Sequence, residues 1–194
     1  MKRDTIIFDL DGTLLNTLDD LADSTNYALK YFDYTQRTID EVRNFVGNGV
    51  AKLIERAIPN GKDNPNFEKC LKIFKENYAK NMYNKTAPYE GIIEMLMDLR
   101  IDCAAGENES AGIRKKPAPD TVLKSVRDLN SSVERSIYVG DSDVDIMTAK
   151  NSGMPCISVT WGFRDRKFLI EHGAEIFVDN PQEIIEYLES SANS

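Results

Sequence analysis

Thr5-Ile6-Ile7-Phe8-Asp9-Leu10-Asp11-Gly12-Thr13 is a short apolar run, rich in β-branched residues, that ends in two carboxylates, a glycine and a hydroxyl. An uninterrupted apolar strand fits a parallel sheet covered on both faces. In open α/β sheets the reacting groups sit beyond the carboxyl ends of the strands, where Asp9 and Asp11 fall. Two residues apart, their side chains leave the same side of the chain if it stays extended. Such a pair suits a divalent cation, or a division of nucleophilic and acid–base work. Read alone, Asp-Gly favours a plain turn at the end of a strand.

The theme returns at Ser136-Ile137-Tyr138-Val139-Gly140-Asp141, another apolar strand ending in a carboxylate. Asp143 and Asp145 follow at the head of a helix that Gly153 ends. Alone, these aspartates read as helix caps that complement the dipole. Together with Asp9 and Asp11, a shared metal site is the better account. Cys156 to Thr160 and Glu175 to Val178 are further strands, and Asp179-Asn180-Pro181 starts the last helix. Ile92 to Arg100 and a segment opened by Pro117 and Pro119 are also helical. Ile101 to Gly106 reads as a short strand.

Between the first strand and these elements the pattern is helical. Leu18, Leu21, Ala22, Thr25, Ala28, Leu29 and Phe32 recur at helical spacing, as do Val50, Leu53, Ile54 and Ala57, then Phe67, Leu71, Phe74, Tyr78 and Met82. Such stripes are bundle core. An insert of about 70 residues is too long for an ordinary βα connection, so residues 16–88 are expected to form a domain of their own. Residues 1–15 and 89–194 form the other. Gly47-Asn48-Gly49 interrupts the insert. It suits either an ordinary helix–helix turn or a stretch of positive φ that exposes amides to an anion. Arg56 follows as an exposed helix arginine or a carboxylate clamp.

The 194 residues carry a net charge of −8, which argues against a nucleic-acid-binding surface. The first apolar run is too short for a signal peptide or a membrane span. Cys70, Cys103 and Cys156 have neither metal-site spacing nor an even count, and read as reduced thiols in a cytoplasmic protein. His172 is the only histidine, which leaves no His-dependent triad; it reads as a helix C-terminal residue.

Asp9-Leu10-Asp11-Gly12-Thr13 resembles the first motif of the haloacid-dehalogenase-like superfamily, mostly Mg²⁺-dependent phosphatases. Lys115-Lys116-Pro117-Ala118-Pro119-Asp120 is similar to its third motif, with Lys116 at the lysine position, and Gly140 to Asp145 to its fourth. Thr160-Trp161-Gly162-Phe163-Arg164 and Val178-Asp179-Asn180 resemble the phosphoglycolate-phosphatase-like branch. The resemblance implies a Rossmann-like α/β core with an inserted helical cap. It implies hydrolysis of small phosphate monoesters through an aspartyl-phosphate. Asp9 would be the nucleophile, Asp11 the acid and base, and Lys116 the catalytic cation. Mg²⁺ would be held by Asp9, Asp141 and the Asp11 carbonyl, with Asp145 orienting that shell from outside. Thr13, Gly47, Asn48, Gly49 and Arg56 would contact a small phosphorylated metabolite. No nucleic-acid or membrane partner is expected, and a monomer or weak dimer is. The alternatives are a phosphomutase of the β-phosphoglucomutase kind and an inactive binding protein.

One element of the resemblance is absent. The family's second motif, a strand ending in Ser or Thr that binds the phosphoryl group, has no counterpart after Arg100. Either the protein has lost this segment or the sequence omits it. Loss would leave two flanking strands about two spacings, roughly 10 Å, apart with unpaired amides and carbonyls, so an omitted segment on the order of 30 residues, the size of a βαβ unit, is the expectation.

Overall fold

A computed structural model describes residues 3–99, 101–105 and 112–192. Along the chain come β1 (Thr5–Phe8), β2 (Leu15–Asn16), α1 (Leu18–Tyr31), α2 (Ile39–Phe45), α3 (Gly49–Ala57), α4 (Phe67–Asn81) and β3 (Ala87–Pro88). Then follow α5 (Ile92–Asp98), α6 (Asp120–Asp128), β4 (Ser136–Gly140), α7 (Asp143–Ser152), β5 (Cys156–Val159), α8 (Arg166–Glu171), β6 (Ile176–Val178) and α9 (Gln182–Ala192). Two compact units result, one from Leu15 to Ala87 and the other from the rest of the chain.

The larger unit is α/β. Its four-stranded sheet runs β1-β4-β5-β6, all parallel, with Ile6 opposite Ile137, Val139 opposite Ile157 and Ser158 opposite Phe177. Alternation along β4 builds two cores. Ile137 and Val139 pack with Ile92 and Met95 of α5 and Ile184 of α9. Tyr138, on the other face, packs with Val122 and Val126 of α6, Ala149 of α7 and Met154. A parallel sheet covered on both faces needs apolar residues at successive positions, which is why these strands read as runs. All five β4 residues are buried. Every β1 residue is only half-buried, because among the described residues β1 has a strand on one side only.

The strand expected over Ile101–Gly106 is not found: residues 101–105 are exposed and extend no sheet, and Gly106 lies outside the described residues. No gap between two strands arises, and among the described residues the sheet ends at β1. The physical reason is pairing. A strand two spacings from β1 has no neighbour to bond, and leaving its amides dry costs about 1–3 kcal/mol for each buried group.

The smaller unit is helical. Leu21, Ala28, Leu29, Leu53, Ile54 and Phe74 are buried along its helices, as the stripes predict, and Val42 of α2 joins them. Thr38 and Glu41 form a capping box at the start of α2, fixing that helix end with two reciprocal hydrogen bonds. Its ends meet as the two-stranded sheet β2-β3. Beside that sheet lies Asp20, 2% exposed. Its carboxylate accepts from the Lys85 and Thr86 amides, at 3.0 and 2.8 Å, and from the Thr86 hydroxyl at 2.9 Å. Burial pushes this carboxyl up, but the two amides and the hydroxyl outweigh it and hold it below the usual carboxylate range. Its stabilising contribution is thus present above the ordinary carboxylate pKa, near 4, and is lost as pH falls through the depressed value. Asp20→Asn is expected to cost about 1–3 kcal/mol at neutral pH. Denaturant titrations at pH 7 and pH 3 check this: the difference between wild type and variant should shrink at the lower pH.

Candidate active site

Asp9 leaves the end of β1 and Asp141 the end of β4, neighbouring strands in register, so two strand ends bring two carboxylates together. Asp145 joins them from the first turn of α7. Ligand atoms of Asp9, Asp141 and Asp145 all lie within 4.8 Å of one another. Lys116 comes from the segment ahead of α6, and its Nζ donates to Asp9 Oδ1 and, at 2.9 Å, to Asp145 Oδ1.

Each carboxylate is held differently. Asp145 Oδ1 accepts from Lys116 Nζ and from the Tyr138 hydroxyl at 3.1 Å. Its Oδ2 accepts from the Ser142 amide at 3.2 Å and hydroxyl at 2.6 Å. Four donors thus engage Asp145, two on each oxygen. Asp141 Oδ2 accepts from the Phe163 amide at 2.6 Å. Its Oδ1, like Asp9 Oδ2, accepts no hydrogen bond from the described residues. Two glycines hold Asp141 in place. A Cβ on Gly12, whose φ is +90°, would lie 2.4 Å from Asp141 Oδ2, and one on Gly162 would lie 2.3 Å from Asp141 Cβ. Neither position has room for a side chain.

The electrostatics are those of crowded anions. Burial, then the charge of Asp145, push the Asp9 carboxyl up to about 7 against the pull of Lys116. Burial and Asp145 likewise raise Asp141 well above the usual range, with the Phe163 amide opposing them. Burial would lower Lys116, but the charges of Asp145 and Asp9 outweigh it and keep the ammonium protonated. Two crowded carboxylates, each raised by burial and by Asp145 and each with an oxygen unclaimed, fit a hard divalent cation.

The other expected site residues are placed as follows. Asp11 is exposed, one residue beyond Leu10. Thr13 is buried, at 1% exposure, and its hydroxyl finds no partner among the described residues. Its carbonyl accepts from Trp161 Nε1 at 3.0 Å. In the helical unit, Gly47 and Gly49 adopt φ of 123° and 78°, and Asn48 caps α3 without a side-chain hydrogen bond. Arg56 Nη1 is tied to the Phe45 carbonyl at 2.7 Å, so it braces the loop ahead of α3. Sequence reasoning passed over Tyr138, Ser142, Gly162 and Phe163 as parts of the site. Ser142, three residues before Asp145, carries a capping-box spacing that identifies it. The Phe163 amide carries no such signal, since any residue has one.

The family model described as haloacid dehalogenase-like hydrolase matches residues 6–104 and 109–159. The chain belongs to the haloacid dehalogenase-like hydrolase family. A phosphoglycolate phosphatase of Mesorhizobium japonicum is 32% identical over 86% of this chain and 86% of its own. A solved Lactobacillus delbrueckii subsp. bulgaricus structure, provisionally described as a phosphoglycolate phosphatase, is 32% identical with a TM-score of 0.90, covering 97% of this chain and 99% of that one. A Bacteroides vulgatus structure, provisionally a β-phosphoglucomutase, is 16% identical with a TM-score of 0.74, covering 100% of this chain and 91% of its own, and shares the fold alone. The Mesorhizobium alignment runs over 198 positions yet uses 86% of a 194-residue chain, about 167 residues. About 31 positions of that haloacid dehalogenase-like relative therefore face no residue here. The family match itself breaks between residues 104 and 109, in the connection from α5 to α6.

Proposed function

We propose that this chain is a Mg²⁺-dependent phosphatase acting on small phosphate monoesters of the phosphoglycolate kind. The observation that carries the reading is Lys116 bridging Asp9 and Asp145 beside Asp141. Asp9 and Asp141, with the Asp11 carbonyl, would hold the cation. When bound, it offsets the negative charge that a phosphate dianion brings to a carboxylate nucleophile.

The Asp9 carboxylate attacks phosphorus; the phosphorus–alkoxide bond breaks and an aspartyl-phosphate forms. Asp11, exposed and able to exchange protons with solvent, protonates the departing alkoxide. It then takes a proton from the water that hydrolyses the aspartyl-phosphate, releasing phosphate and restoring Asp9. Lys116 pairs with Asp9 and with the phosphoryl oxygens as a point charge. The helical unit serves as a substrate-selecting cap, with Gly47, Asn48 and Gly49 in its selecting loop and Arg56 on the helix that follows. The positive φ of both glycines and the brace from Arg56 support that role. Free thiols support a cytoplasmic setting, and no described helix is long and apolar enough to cross a membrane.

Phosphate release from p-nitrophenyl phosphate, 2-phosphoglycolate and a panel of sugar phosphates, with and without Mg²⁺, tests the reading. Isomerisation of a sugar phosphate without phosphate release would favour a mutase. Absence of turnover on every substrate would favour a binding protein, the reading that the missing stretch between α5 and α6 supports.

A further inference from the structure

Tyr138 has no part in the chemistry just described, yet it bears on Lys116 in two ways, directly through its ring and through Asp145 by its hydroxyl. Its ring, 1% exposed in the middle of β4, lies under the ammonium, with Nζ 5.3 Å from the ring centroid. Its hydroxyl donates to Asp145 Oδ1 at 3.1 Å, the same oxygen that accepts from Lys116 Nζ at 2.9 Å. Desolvated, such a cation–ring contact is comparable with a charged hydrogen bond. The ammonium thus has three neighbours, namely Asp9, Asp145 and the ring face, and Tyr138 shapes two of them.

Competition at Asp145 makes the hydroxyl important. Ser142 satisfies Oδ2 with two donors, so the balance at Oδ1 is between Tyr138 and Lys116. With both donors present, Asp145 holds the ammonium with part of its accepting capacity and leaves it on Asp9. Without the hydroxyl, Oδ1 turns wholly to Lys116 and draws the ammonium away from Asp9. We propose that Tyr138 is a positioning residue that sets Lys116 against Asp9, its ring supporting the ammonium from below and its hydroxyl limiting the pull of Asp145. The role in turnover rests on the phosphatase reading above; the placement of the ammonium does not.

Tyr138→Phe keeps the ring and removes the hydroxyl, while Tyr138→Leu removes both. The test measures kcat and KM for p-nitrophenyl phosphate, and the proton-exchange rate of the Lys116 ammonium by ¹H–¹⁵N NMR, assigned by loss of its signal in Lys116→Arg. The expected result is a kcat about tenfold lower in Tyr138→Phe and lower again in Tyr138→Leu, with KM within about twofold. Ammonium exchange is expected to be at least about threefold faster in both. A purely structural role lowers the melting midpoint and leaves kcat and ammonium exchange at wild-type values; that outcome overturns the proposal. Wild-type protein without turnover would defeat the phosphatase reading and leave the exchange rate to decide this one. If Tyr138→Leu does not fold, Tyr138→Phe alone decides by the same criteria.

Discussion

Asp9→Asn is expected to abolish Mg²⁺-dependent phosphate release, by on the order of 10⁴-fold or more. The amide matches the carboxylate in size and can still accept from Lys116, yet it lacks the charge to attack phosphorus. The variant also separates chemistry from folding. Burial and Asp145 raise the wild-type carboxyl to about 7, far above its value of about 4 in an unfolded chain. A raised acid contributes stability that is fully present below the unfolded pKa and lost as pH rises through the folded one. Metal-free wild type should therefore weaken between about pH 4 and pH 7, and Asp9→Asn should weaken less, keeping only the part that Asp141 contributes. Above pH 7 the inactive variant should be at least as stable as the wild type in denaturant titrations without Mg²⁺. Activity above one per cent of wild type, with deamidation excluded by mass, would remove Asp9 as the nucleophile. A variant less stable than wild type at pH 8 would show that Lys116 outweighs the crowding.

Inserting the additional stretch of a haloacid dehalogenase-like relative between Arg100 and Ile101 should raise both stability and turnover. About 31 positions of the Mesorhizobium protein have no partner here, enough for a strand and the helix that returns from it. A strand–helix unit following α5 with the usual right-handed crossover lands beside β1. That side of β1 has room for it in hydrogen bonds. Asp9 N–H donates to the Val139 carbonyl at 2.9 Å, so by alternation the Ile6 and Phe8 amides face outward, where no described strand pairs with them. Satisfying two such groups is worth about 1 kcal/mol each, a rise in melting midpoint of about 5 °C. If the inserted strand ends in hydroxyl and amide donors to the phosphoryl group, kcat/KM should rise about 10²–10³-fold. Thermal unfolding and p-nitrophenyl phosphate kinetics on the chimera check both. A stability gain without an activity gain would place the phosphoryl-binding donors elsewhere. No gain in either would show that this edge of the sheet does not take a strand.

The sequence by itself determined the strands and helices that carry the site. Thr5–Phe8 and Ser136–Gly140 are apolar runs ending in aspartate, and a run buried on both faces is the signature of a parallel strand. The helical stripes of the inserted unit were equally plain, since its core is built from residues at the helical period. Gly153 and His172 end their helices where the local pattern places them. What the sequence misread was residues 101–105 of the expected Ile101–Gly106 strand, where apolar composition suggested a strand but no described strand lies beside these residues to bond them. Strand formation needs a partner, and a partner is a tertiary fact. The same holds inside the site. That Asp145 is engaged by four donors, that Phe163 reaches Asp141 across 22 residues, and that Gly12 and Gly162 close around one carboxylate were settled only by folding. Those contacts use backbone amides and empty Cβ positions, which every sequence contains and only a three-dimensional arrangement makes specific.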